Sequence, residues 1–321
     1  MGKAVLQLYR PSNRRLTPAI KKAERFDYRI LSREQVSRQA AQSILDLAKS
    51  GKGTVLTPGC NTPIRMYWAL SKMAKEEGVD LSGLLKGEQG NFQMGMIDGI
   101  EGQLEHPYSF KYYFIKNFLK HFLPEDFRLP SDPAARRTAI QEIYQTFKNV
   151  YVPHLPGNTD LATKLAEEGQ FNLWLGKHSP IDLIVCGIGP DGHIAFLGPG
   201  QELVPRALPA RTVELWQGIR SWKWLDESRE TCACVKENCD ISTRGAPQHA
   251  LTISLNTFIT AKKIILMAIG RGKAEAIREL FYGTYNPSNF TAHYLGQPLV
   301  RNKVTILLDE EAARELRKEA A

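Results

Sequence analysis

Asp191 and His193, an acid and an imidazole two residues apart, close the segment Asp-Leu-Ile-Val-Cys-Gly-Ile-Gly-Pro-Asp-Gly-His at positions 182 to 193. A carboxylate at that spacing can orient an imidazole and fix its tautomer, which is what a general acid–base group needs. Apart from Asp182, Ile181 to Val185 read as an apolar strand buried on both faces of a parallel sheet. Gly187 and Gly189 let the chain turn, Pro190 stiffens it, and Gly192 separates the acid from the imidazole. Open α/β sheets bind ligands at that edge of the sheet. The plainer reading is a βα turn with an Asp-Gly bend and an incidental histidine.

Two further strand-to-helix turns offer anion chemistry. In Thr57-Pro-Gly-Cys-Asn-Thr-Pro63, Gly59 permits close approach, and Asn61 and Thr62 can donate hydrogen bonds beside Cys60 at a helix N-terminus. A capped helix, with Thr62 as N-cap and Pro63 in the first turn, satisfies the same residues. In Gly270-Arg-Gly-Lys273, a lysine opens a helix, where the dipole disfavours a cation unless an anion is bound. A solvated lysine is the alternative.

The elements that would position these groups alternate strand and helix. Ser32 opens a helix with Gln35 at capping-box spacing and a stripe of Val36, Ala40, Ile44 and Leu47. Strands are expected at Thr54–Thr57, Phe92–Ile97, Leu251–Leu255, Ile264–Ile269 and Val304–Leu308. Helices are expected at Ile64–Met73, Tyr108–Phe122, Pro133–Val150, Asp160–Glu168 and Lys273–Phe281, with Asp309 capping the last one. Strands joined through helices give a mostly parallel sheet covered on both faces. The 321 residues are read as a basic N-terminal extension, 1–31, and a single α/β domain, 32–321.

The net charge of +8 is concentrated at the start of the chain. Lys3, Arg10, Arg14, Arg15, Lys21, Lys22, Arg25, Arg29 and Arg33 face only Glu24 and Asp27. That arm reads as a solvated segment or as a subunit contact in a homo-oligomer, since no nucleic-acid-binding signature accompanies it. No apolar run approaches the roughly 20 residues that cross a bilayer, and the first residues do not resemble a secretory signal. A cytoplasmic protein that does not engage membranes is expected. Five cysteines read as reduced thiols.

The three turns, in this order, resemble the glucosamine-6-phosphate deaminase and 6-phosphogluconolactonase superfamily from about Ser32 onward. Gly187-Ile-Gly-Pro-Asp-Gly-His-Ile-Ala-Phe196 is similar to the deaminase signature, and Glu105-His-Pro-Tyr-Ser-Phe-Lys-Tyr-Tyr113 to its His-Pro segment. Ala250-Leu-Thr-Ile-Ser-Leu255, followed by Gly270-Arg-Gly-Lys-Ala-Glu275, is similar to the strand and phosphate-lysine region of both branches. The resemblance implies a modified Rossmann-like three-layer sandwich, no cofactor or metal, and a sugar phosphate as the small-molecule partner.

It also implies roles. His193 assists pyranose opening at the ring oxygen, Asp191 orients it, and the turn at Gly59–Thr62, Lys273 and Gly192 hold the phosphate end. A second aspartate of the family removes the C2 proton, so that an aldose amine becomes a ketose imine and loses ammonia. Matching the family's Asn-Met-Asp-Glu segment to Gln93-Met-Gly-Met96 puts Gly95 at that base, with Asp98 and Glu101 as the acids a shifted loop would offer instead. A third family carboxylate becomes Gly198, and ordinary deamination is then expected to be weak. Leu197, Pro199 and Gly200 match the lactonase ending, and lactone hydrolysis or binding without chemistry stay open. Cys232, Cys234, Cys239 and His249 could supply a zinc set of irregular spacing. Trp216, Trp222 and Trp224, with Arg220 and Lys223 between them, read as core, interface or lid aromatics.

Overall fold

The capping box at Ser32 forms in the computed structural model. The Ser32 hydroxyl oxygen accepts from the Gln35 N–H at 3.2 Å, and Gln35 Oε1 accepts from the Ser32 N–H at 2.9 Å. The structure describes residues 26–59, 61–106, 109–157, 160–199, 208–215 and 247–319. Cys60, Gly200, the cysteine set at 232, 234 and 239, the tryptophan group at 216–224 and most of the basic arm lie outside them.

In chain order the elements begin with β1 (Asp27–Leu31), α1 (Arg33–Lys49), β2 (Lys52–Thr57), α2 (Ile64–Glu76) and α3 (Leu81–Lys86). There follow β3 (Asn91–Met96), β4 (Asp98–Gly102), α4 (Phe110–Asn117), α5 (Pro133–Thr146), β5 (Val150–Tyr151) and β6 (Leu155–Pro156). Next come α6 (Leu161–Lys177), β7 (Leu183–Gly187), β8 (Ala210–Glu214), β9 (His249–Ile253), α7 (Leu255–Thr260) and β10 (Lys263–Ala268). The chain closes with α8 (Ala274–Tyr282), α9 (Pro298–Arg301), β11 (Val304–Asp309) and α10 (Arg314–Glu319).

Seven strands form one parallel sheet in the order β1-β11-β10-β7-β2-β3-β5. After β2 the chain builds outward through β3 and β5, then returns to lay β7 against β2 and builds the other way through β10 and β11. The carboxyl ends of β2 and β7 therefore flank the topological switch point, where a crevice opens in sheets of this kind. Side chains alternate across the sheet. Leu183, Val185, Ile265 and Met267 face the core under α1 to α5, and Ile184, Cys186, Ile264 and Leu266 face the opposite core. Both faces are covered, as the apolar strands require.

The structure displaces several expectations. Residues 27–31 pair in register with β11, so the sheet begins before the boundary drawn after residue 31. The aromatic helix stops at Asn117, because Phe118 leaves helical geometry (φ −132°, ψ −63°), and a 3₁₀ turn follows at Leu119–Phe122. The next helix ends at Thr146, and Val150 is drawn into the sheet beside Met94. β9 does not join the parallel sheet. It lies antiparallel between β4 and β8 in a second, four-stranded sheet ordered β6-β4-β9-β8. Asp309 does not cap the last helix itself, which starts at Arg314; its Oδ1 accepts from the Ala312 N–H at 2.8 Å and closes the turn ahead of that helix. No helix among the described residues is long and apolar enough to cross a membrane.

Gly95 is the penultimate residue of β3, paired with Leu56 and Tyr151 on its two sides. A Cβ built on it would stand 2.8 Å from Trp174 Cη2 and 3.0 Å from Leu56 Cδ2. A carboxylate there would be driven into packed core, so position 95 cannot present a base to a ligand. Gly95→Asp is expected to destabilise the fold by roughly 3 kcal/mol or more, through overpacking and an unpaired buried charge. Urea unfolding of the variant checks this.

Candidate active site

The turn after β2 is fixed from below by the first turns of the helix it feeds. The buried Tyr67 hydroxyl donates to Pro58 O at 2.8 Å and lies 3.0 Å from Thr57 Oγ1, whose own hydroxyl donates to Gly95 O at 3.2 Å. Gly59 is required by close approach, since a Cβ there would be 2.5 Å from Phe110 Cε2. Thr62 does not cap α2. Pro63 occupies the N-cap position with no side-chain cap, and the first turn of α2 carries no acidic residue. A capped helix therefore does not account for Asn61 and Thr62, and the positive end of α2 is directed at the crevice.

At the end of β7 the acid and the imidazole meet. His193 Nδ1 lies 2.6 Å from Asp191 Oδ1, and the His193 N–H donates to the same oxygen at 3.3 Å. An ionised carboxylate only accepts, so this contact suits the tautomer with its proton on Nδ1. The turn is closed by Gly189 N–H to His193 O at 2.9 Å and Gly192 N–H to Gly189 O at 3.0 Å. The His193 side chain is 22% exposed, wet enough to exchange protons with a ligand yet held against the fold. A Cβ on Gly189 would overlap the His193 ring and crowd Asp191 Oδ1. Gly189→Ala is therefore expected to push the imidazole off Asp191, lowering turnover by about 100-fold for a shift near 1 Å, with phosphate affinity kept. Steady-state kinetics with inorganic phosphate as a competing ligand would show both effects.

Asp98 sits where the chain leaves β3. The Ile97 N–H donates to Thr57 O at 2.9 Å, and the Ile253 N–H donates to Ile97 O at 2.9 Å, so the residue is anchored between both sheets. Asp98 stands directly opposite Thr252 on β9, and such pairs share one face of a sheet. Thr252 Oγ1 accepts from the Phe196 N–H at 3.1 Å. The Asp98 carboxyl thus lies on the face that meets the segment carrying His193. It is 5% exposed, its Oδ1 has no hydrogen-bond partner among the described residues, and burial pushes its pKa up to about 8. Glu101 is not in this group. Its Oε2 accepts from the His249 and Gln248 N–H groups at 3.0 and 3.1 Å, and its Oε1 lies 3.7 Å from Lys164 Nζ, bracing the second sheet. His249 Nδ1 lies 3.0 Å from Glu101 Oε2 and is part of that brace.

Lys273 ends a 3₁₀ turn, Arg271–Lys273, and leads into α8 from the end of β10, the strand beside β7. The turn is tied down by the Gly270 N–H, which donates to the Asp309 carboxylate at 2.9 and 3.0 Å. The segments that leave four adjacent strand ends therefore lie side by side: Pro58 and Gly59 after β2, Ile97 leading into Asp98 of β4 after β3, 188–193 after β7 and 270–273 after β10.

A family model described as glucosamine-6-phosphate isomerases/6-phosphogluconolactonase matches residues 31–298. The chain belongs to that family. A glucosamine-6-phosphate deaminase of Thermoanaerobacter sp. (strain X514) is 27% identical over 285 residues, 87% of this chain and 90% of the relative. Among solved structures, a monomeric glucosamine-6-phosphate deaminase superposes with a TM-score of 0.67 at 24% identity, covering 90% of this chain and 99% of the other. A 6-phosphogluconolactonase from Trypanosoma brucei superposes with a TM-score of 0.59 at 16% identity, covering 90% and 98%. The family's α/β fold with its parallel central sheet is the one described above.

The family signature made Asp191 and His193 legible, but not the contacts that aim them. Phe110 lies on Gly59 with its ring centroid 6.1 Å from that of Phe196, linking the first turn to the His193 segment. Thr252 faces Asp98 and Phe290 packs on Gly192. Each is distant in sequence from the turn it supports; Phe110 and Thr252 fall inside the family-like segments 105–113 and 250–255, whereas Phe290 carries no sequence signal.

Proposed function

We propose that the protein is a sugar-phosphate deaminase/isomerase that converts glucosamine 6-phosphate and water to fructose 6-phosphate and ammonia. The observation that carries this reading is Asp98, a buried carboxyl with an unpartnered oxygen on the face that meets the His193 segment. The phosphate binds between the first turn of α2, with Asn61 and Thr62, and Lys273. Nε2 of His193, with Nδ1–H held by Asp191, moves a proton at the ring oxygen as the pyranose opens. Asp98 in its ionised form takes the C2 proton of the open chain, and the proton returns at C1, giving a 2-imine. Water adds to the imine carbon, ammonia leaves, and the ketose remains. Gly198 supplies no carboxylate, so the acid that His193 meets is Asp191.

Lactone hydrolysis is the second reading, favoured by Leu197-Gly198-Pro199 in place of the deaminase ending. It needs a base for water and an anion site, which His193 and Lys273 would provide, but it has no use for Asp98. The test follows ammonia and fructose 6-phosphate from glucosamine 6-phosphate, in parallel with acid release from 6-phosphogluconolactone. Ammonia release is expected. Lactone turnover alone, unaffected by Asp98→Asn, would reverse the order of the two readings.

A further inference from the structure

Gly192, between the acid and the imidazole, has φ +82°, and a Cβ on it would overlap the ring of Phe290. The ring therefore lies against the Gly192 Cα, and the Ala292 N–H donates to Gly192 O at 2.8 Å. One segment, 286–292, thus grips the reactive turn at its Cα and at its carbonyl. The segment is itself held rigidly. The Phe290 N–H donates to Asn286 O at 2.9 Å, the Asn286 N–H donates to His293 Nδ1 at 3.1 Å, and His293 Nε2–H donates to Glu279 O at 3.0 Å. His293 is 3% exposed, and its ring centroid is 4.7 Å from that of Phe290. Glu279 lies on α8, the helix that Lys273 opens. A continuous packed path therefore runs from α8 through His293 and Phe290 to Gly192.

We infer that Phe290 is a positioning residue: its ring holds Gly192 in the left-handed conformation that seats His193 on Asp191, at a set distance from the phosphate end at Lys273. This rests on the reading of His193 as the acid–base group. Glycine has the widest range of backbone conformations, so a turn built on it needs an outside contact to stay in one of them. Phe290 is partly buried and packs against the core as well as on the turn, so the test needs a core control.

The test compares Phe290→Ala, Phe290→Tyr and a remote core control, Phe147→Leu, by the ¹⁵N shifts of the His193 imidazole, which report which nitrogen carries the proton. The wild type and the control are expected to show the Nδ1–H form, Phe290→Ala to shift toward Nε2–H, and Phe290→Tyr to restore the wild-type pattern. In turnover, Phe290→Ala should lose 10- to 100-fold in kcat, roughly the penalty of an imidazole misplaced by up to 1 Å, with inorganic phosphate affinity within about twofold of wild type. Wild-type shifts and kcat in Phe290→Ala overturn the inference. So does an equal tautomer shift in Phe147→Leu, because that effect would follow stability alone. If the wild type releases no ammonia while Phe290→Ala still changes the tautomer, the deaminase reading fails and the positioning role stands.

Discussion

Asp98→Asn should lower ammonia release by about 100- to 10,000-fold, the range that general base assistance supplies, while making the protein more stable at alkaline pH. Both effects follow from one buried carboxyl. In the folded chain burial pushes its pKa from 3.8 to about 8, so that between those values folding takes up a proton. The unfolded state binds fewer protons in this window, and stability therefore falls as pH rises, by up to about 1.4 kcal/mol for each pH unit. Asparagine removes that slope. Wild type and variant should converge near pH 4 and separate toward pH 8, with the variant the more stable, and denaturant melts across the range read the difference. Activity runs the opposite way in the wild type. A base must be ionised to accept a proton, so kcat/KM should climb to about pH 8 and level off above it. A site that has ionised its base at neutral pH would show no such climb.

His193→Gln is expected to reduce turnover by a similar factor, roughly 100- to 10,000-fold, with little change in the fold. The side chain lies on a turn beyond β7 and is partly exposed. Glutamine can still meet Asp191 through its amide but cannot carry a proton to the ring oxygen. The loss should be in kcat and not in phosphate affinity, because the first turn of α2 and Lys273 act at the other end of the substrate. An open-chain analogue that needs no ring opening should recover part of the rate in this variant and none in Asp98→Asn. Kinetics with such an analogue would separate the two roles.

What the sequence disclosed and what it withheld have physical causes. The apolar run ending at Val185, with glycines and an Asp-Gly-His after it, placed the reactive turn at a strand end, since buried parallel strands and their turns have local signatures. The Ser32 capping box is likewise local, needing only residues three apart. The second sheet was not legible. Its strands are short, and Asp98-Gly-Ile-Glu-Gly102 contains two glycines, so its β structure comes from pairing with β9, about 150 residues away in sequence. That omission bears on the proposed base. Without β4, the segment after β3 looked like a loop, and the family's aspartate was matched to Gly95. The structure shows Gly95 facing Trp174 inside the core and Asp98 at the junction of the two sheets. The contacts of Phe290 and Thr252 were withheld for the same reason, as they are tertiary and carry no local pattern.

The central claim, that Asp98 removes the C2 proton of a bound amino sugar phosphate, is tested most directly by incubating glucosamine 6-phosphate with the protein in D₂O and following deuterium in the recovered substrate and product by mass spectrometry. Ammonia release with solvent deuterium in fructose 6-phosphate, both abolished in Asp98→Asn while phosphate binding persists, is the predicted result. Undiminished exchange and ammonia release by Asp98→Asn would contradict the assignment.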